Sequence, residues 1–91
     1  MTFEDAMTAL TDAISNSDER SVDLFARGIL TIDPRRSFGA PIFVKGAARL
    51  TDVLQRLASG ESIRIVAAEF GIPVDHLVRV IAVADWLARQ P

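Results

Sequence analysis

Between Ile63 and Ala82 the chain runs IRIVAAEFGIPVDHLVRVIA, two stretches of helical apolar spacing parted by one glycine. That arrangement narrows the choice of fold more than any other segment. Two helices that cross closely need a small residue at the crossing, and Ala67 provides it. The turn four positions later needs a residue that tolerates the left-handed region, and Gly71 provides that. Val66, Phe70, Ile72, Leu77 and Val80 then fall at the offsets that lock the two helices together. Ser62 is placed to cap the first helix, over 63–70, and Pro73 opens a longer one over about 73–89. The spacing predicts a helix-turn-helix. A plain αα-corner with the same packing is the alternative.

The rest of the chain fits around this unit. Leu50, Val53, Leu54, Leu57 and Ala58 keep helical spacing over about 49–58, and Ser59-Gly60 stops it. Gly28–Asp33 and Pro41–Val44 have the character of short strands, joined through the turn-rich Pro34–Gly39 loop, so a β-hairpin precedes the helices. Phe3, Ala6, Met7, Leu10, Ala13 and Ile14 line one side of a helix over about 2–15, with Thr2 as its cap and Ser15–Glu19 as a polar stop and linker. The expected fold is mainly α: a small β-hairpin followed by a three-helix helix-turn-helix bundle, with an extra N-terminal amphipathic helix. Residues 1–24 form an acidic helix and linker, and 25–91 the hairpin and helix-turn-helix domain.

Composition removes several chemistries. Among 91 residues there is no Cys and one His, His76, which excludes disulfide scaffolds, thiol nucleophiles and multi-His metal sites. His76 follows Asp75 directly, and neighbours on a helix point in different directions, so the two make no orienting pair. No phosphate-cradling glycine loop is present, and the acids share no helical spacing that would gather a metal. The expectation is a non-enzyme with no cofactor, no metal and no catalytic residue. The longest unbroken apolar run, Val80–Ala84, is far short of a membrane span, and Met-Thr-Phe-Glu-Asp lacks the bases of a secretory signal. A cytoplasmic protein that makes no use of membranes is expected.

The formal charge of −2 hides an asymmetry. Residues 1–24 carry six acids against Arg20, whereas residues 25–91 carry nine bases, eight of them Arg, against six acids. An acidic head on a mildly basic body leaves phosphate binding by the body open. The candidates for nucleic-acid contact are Arg35 and Arg36 in the hairpin loop, Arg64 at the start of the first motif helix, and His76 and Arg79 near the start of the second. The reading set on that second helix is thin, because Val74 and Val78 share its side.

Counting glycine, 50 of 91 residues are apolar, more than a typical soluble domain carries. Much of the surplus sits on the last helix, which is apolar on more than one side. Val78, Val83, Trp86 and Leu87 are the expected seam with a second copy or another protein. The competing expectation is that the N-terminal helix covers this face internally.

Ile32-Asp33-Pro34, Phe38-Gly39-Ala40-Pro41-Ile42, Asp52-Val53-Leu54, Leu57-Ala58-Ser59-Gly60-Glu61-Ser62 and Phe70-Gly71-Ile72 occur in an order that resembles domain-of-unknown-function family 433, a prokaryotic family that includes VapB-type antitoxins. The resemblance covers residues 29–84. That family usually has Gly-Thr-Arg-Ile after the second strand, where this chain has Lys45-Gly46-Ala47-Ala48-Arg49-Leu50. The resemblance implies a cytoplasmic antitoxin of a toxin–antitoxin system. Such a protein neutralises a PIN-like ribonuclease toxin by direct binding, and as a homodimer binds operator DNA. It also implies that an Arg could enter the toxin's acidic pocket, since a guanidinium pairs well with clustered carboxylates. Two other functions stay open on the residues alone. One is a protein-interaction module with a helix-turn-helix core and no DNA role, and the other is a DNA-binding regulator unrelated to any toxin.

Overall fold

The computed structural model describes residues 3–35 and 39–90. Five helices and one two-stranded sheet follow one another: α1 (Phe3–Ser15), α2 (Glu19–Ala26), β1 (Leu30–Ile32), β2 (Pro41–Phe43), α3 (Leu50–Ala58), α4 (Ile63–Phe70) and α5 (Val74–Ala88). The strands are antiparallel, with Leu30 opposite Phe43, Thr31 opposite Ile42 and Ile32 opposite Pro41. Both strands are shorter than the sequence predicts. The Val44 amide beyond β2 still donates to the Ile29 carbonyl at 3.0 Å, so pairing continues without strand geometry.

The expected polar linker after the first helix shrinks to Asn16–Asp18, and Glu19–Ala26 make a helix that the apolar spacing does not announce. Only eight residues long, it cannot stand alone. Its hold is local. Ser17 takes a φ of 53°, and the Asp18 amide reaches back to the Ala13 carbonyl at 2.8 Å, turning the chain sharply. The Asp18 carboxylate then accepts from the Arg20 amide as an N-cap. Ser21 is fully buried, and its hydroxyl donates to the Ala13 and Asp18 carbonyls at 3.1 and 2.8 Å. Leu24 completes the attachment by entering the core.

One buried cluster joins every element. It takes Ala6 and Leu10 from α1, Leu24 from α2, Leu30 and Phe43 from the sheet, and Leu50, Val53, Leu54 and Leu57 from α3. Val66 and Ala67 of α4 and Leu77, Val80 and Ala84 of α5 close it. Ala6 and Leu10 of the α1 stripe are therefore sealed in the core, with Met7 and Ile14 packed at its margin; the Phe3 side chain lies outside the described residues. The main helix–helix contact of the molecule is α1 against α5. The residues assigned above to an acidic head thus share their apolar side with the basic body.

Candidate functional site

The joint between α4 and α5 follows the sequence closely. The Ser62 hydroxyl accepts from the Arg64 amide at the start of α4, as a capping serine should. Gly71 ends the helix with a φ of 69°, while the Ile72 amide bonds the Ala67 carbonyl at 2.9 Å. Ala67 and Ile72 are both buried at this corner. Pro73 stands just before α5 and receives the His76 and Leu77 amides on its carbonyl.

A second close approach supports the corner. The turn after β2 passes through Gly46, at a φ of +93°, and lies against Phe70 and Ile72. A Cβ at Gly46 would overlap the Phe70 carbonyl oxygen and come within 3.1 Å of Ile72 Cγ1. The glycine after the second strand thus has a packing role: it lets the hairpin brace the α4–α5 turn.

The nucleic-acid candidates take different positions. Arg64 is exposed on the first turn of α4. The Arg35 side chain is 89% exposed in the turn after β1, 3.5 Å from Asp33, whose carboxylate also accepts the Arg35 amide. Arg36 lies outside the described residues, as do Thr2 and Phe38. His76 is half-buried, and its Nδ1 is buried with no hydrogen-bonding partner among the described residues. Arg79 is exposed on α5, and it lines an open groove with Arg20 of α2 and with Val78, Ala82, Val83 and Trp86 of α5. The structure therefore brings Arg79 beside the residues expected at a partner seam.

Those seam residues divide into two pairs. Val78 is 47% exposed and Trp86 39%, whereas Val83 and Leu87 pack against the margin of the core. Arg20 stacks over the Trp86 ring, its guanidinium carbon 3.8 Å from the ring centre. A guanidinium held over an indole face gains from the ring's negative potential. The sequence gives no direct cue to this contact, because it depends on α2. Glu19 and Asp23 line an adjoining hollow with Arg20 and Arg79, so acids flank the groove as well.

Charge is concentrated at one further point, where α3 meets α4. Arg56 bonds Glu61, with Nη2 to Oε1 at 2.6 Å, and also bonds Glu69, while its guanidinium lies 5.5 Å from the Phe70 ring centre. Hydrogen bonds to Glu61 and then to Glu69 hold Arg56 in its charged form, above its ordinary pKa. The hydrogen bonds from Arg56 likewise hold the Glu61 carboxyl below its ordinary value. This cluster clamps two helices and belongs to the scaffold. Among the described residues, no group of three His, Asp or Glu side chains is placed to hold a metal ion. Among the described residues, no helix is long and apolar enough to cross a membrane.

The chain is similar to a protein of Mycobacterium tuberculosis named "Putative antitoxin VapB45", with 38% identity over 48 residues. Those residues make up 53% of this chain and 20% of that protein, so the match spans about a fifth of the relative's length. No family model matches the chain. No solved structure matches it either.

Proposed function

We propose that the protein is a cytoplasmic antitoxin of a toxin–antitoxin system that neutralises a PIN-like ribonuclease toxin by binding it directly. As a homodimer it also binds operator DNA, with α4, the Gly71 turn and α5 acting as a helix-turn-helix. The similarity of half the chain to a protein named as an antitoxin carries this reading. The toxin as partner follows from the antitoxin role. Ser62, Ala67, Gly71 and Ile72 support the helix-turn-helix, since a cap, a small crossing residue, a left-handed turn and a buried lock stand in the order that motif requires. For DNA the contacts would come from Arg64 and Arg79, with Arg35, Arg36 and His76 around them. Val78, Val83, Trp86 and Leu87 would serve the protein partner.

One observation favours a second reading, an interaction module without a DNA role. Val74 and Val78 are both more than two-fifths exposed in the first half of α5, where a recognition helix presents polar side chains to base edges.

Co-expression with the product of the adjacent gene tests the main reading. The expected result is a complex that survives purification and loses the ribonuclease activity the partner shows alone. A partner that neither co-purifies nor loses activity would contradict it. For DNA, a duplex from the upstream region should bind the complex at low salt and release it steeply as salt rises, with Arg64→Ala weakening binding. Absence of any shift at low salt, for the protein and for the complex, would leave the interaction module.

A further inference from the structure

Residues 34–51 are the longest stretch of the chain without an acid, and they carry Arg35, Arg36, Lys45 and Arg49. The end of that stretch is a tight turn. The Phe43 amide donates to the Ala48 carbonyl at 2.9 Å, and Ile42 bridges to Arg49, so the chain reverses through residues 44–47. Gly46 and Ala47 both take left-handed angles there, with φ of 93° and 55°. This puts Lys45 near the tip of the turn and Arg49 at its base, and both residues are exposed.

Ion pairing sorts the bases of the described residues into two sets. Arg27, Arg35, Arg56 and Arg89 each face a carboxylate, and Arg20 is stacked on Trp86. The side chains of Lys45, Arg49, Arg64 and Arg79 have no hydrogen bond or ion pair among the described residues. Asp52, three residues beyond Arg49, instead lines a hollow with Arg56 and Phe70. Arg64 and Arg79 are already DNA candidates, and Lys45 and Arg49 share their free state. The turn is also tied to the motif. The Gly46 Cα lies 3.8 Å from where a Cβ on Gly71 would stand, and Gly71 is the residue that ends α4 before α5 begins. The start of a recognition helix enters a groove bounded by two phosphate strands, so DNA held by α5 must pass its backbone near this corner.

We propose that the turn at residues 44–49 is a second contact on the same DNA, with Lys45 and Arg49 each holding a backbone phosphate. The inference rests on the DNA reading given above and adds to it two residues outside the helices of the motif. The contact is blind to sequence, because it reaches phosphate oxygens and not base edges. The guanidinium of Arg49 can take a phosphate through two parallel bonds, whereas Lys45 acts as a point charge. The brace matters to both. Cations on a turn pinned against Phe70 and Ile72 give up less freedom on binding than the same cations on a loose loop. The glycine that lets the hairpin approach the corner thereby also sets where the two charges stand.

Fluorescence anisotropy over a series of salt concentrations tests the contact, with one labelled duplex from the upstream region and one of scrambled sequence. For the wild type, alone or with the product of the adjacent gene, the logarithm of the binding constant should fall linearly with that of the salt concentration. Lys45→Gln combined with Arg49→Gln should make that slope shallower by about 2, equally on both duplexes. Arg27→Gln combined with Arg89→Gln removes the same two charges from ion-paired sites and should leave the slope unchanged. Circular dichroism should show each variant as helical as the wild type. Wild-type binding with a slope that the Lys45 and Arg49 changes do not alter overturns the contact and leaves α4 and α5 as the DNA site. Equal flattening by both double variants overturns it too, because bulk charge would then suffice. An unaltered slope with loss of binding to the adjacent gene's product gives the turn to the protein partner and overturns it likewise. No binding of either duplex at low salt removes the DNA reading and this contact together.

Discussion

Both sides of α5 carry apolar side chains, and they do different things. On one side Leu77, Val80 and Ala84 are sealed by α1 and the rest of the core. On the other, Val78, Ala82 and Trp86 face solvent between charged neighbours. Helical spacing counts apolar positions on either side alike, so it detects the surplus without saying which half α1 covers. The difference lies in the charges. Around the buried half they are missing, and around the exposed half stand Asp75, Arg79, Asp85 and Arg89.

The sharpest way to break that comparison is to shorten one side chain on each face. Leu77→Ala should lower unfolding stability by about 2–5 kcal/mol in denaturant titration, since it opens a cavity in a fully buried site. Val78→Ser, one residue along, should change monomer stability by no more than about 0.5 kcal/mol. Equal losses would mean that α5 has no free side.

Next in size is the brace under the α4–α5 corner. Gly46→Val combines a left-handed backbone with an overlap on Phe70, and should cost about 2–3 kcal/mol in the same titration. A near-neutral result would show that the hairpin does not hold the corner. Ser17→Gly should act in the opposite direction, stabilising by about 0.5 kcal/mol, because serine is strained at a φ of 53° where glycine is not.

The smallest effect concerns acid. Glu61 is held below its ordinary value of 4.5 by hydrogen bonds from Arg56, so it contributes stability above pH 4.5 that is lost as pH falls through its lowered pKa. Glu61→Gln should therefore flatten the decline in melting temperature below pH 4.5 and leave the slope at neutral pH unchanged. An unaltered acid limb would show that the Arg56 cluster adds nothing to the clamp between α3 and α4.

How much of this could be read in the sequence depends on how each helix ends. Four helix ends turn back through the same pair of amide bonds, at Ser17, Gly28, Gly60 and Gly71. Gly60 and Gly71 follow clear apolar periods and were visible as stops. Gly28 follows a segment in which only Val22, Leu24 and Phe25 are large and apolar, too few to mark a helix, so the pattern there reads as the start of a strand. Ser17 carries the left-handed turn without a glycine, and a run of Ser, Asn and Asp has the composition of a linker. That concealed α2, and with it Arg20 over Trp86 and one wall of the α5 groove. The residues on the groove's other wall were legible, because they stand on a long helix with an unmistakable period. The division of the seam residues into half-buried Val83 and Leu87 and exposed Val78 and Trp86 was not, since it depends on where α1 and α2 dock.

Trp86 is the one tryptophan of a chain without tyrosine, and it stands on the outer face of α5. Its fluorescence therefore reports directly on whether that face is covered. On addition of the product of the adjacent gene, the emission should move to shorter wavelength and become harder to quench with iodide, and Val78→Arg should abolish both changes. Emission and quenching that stay constant when that product binds would contradict a partner on this face.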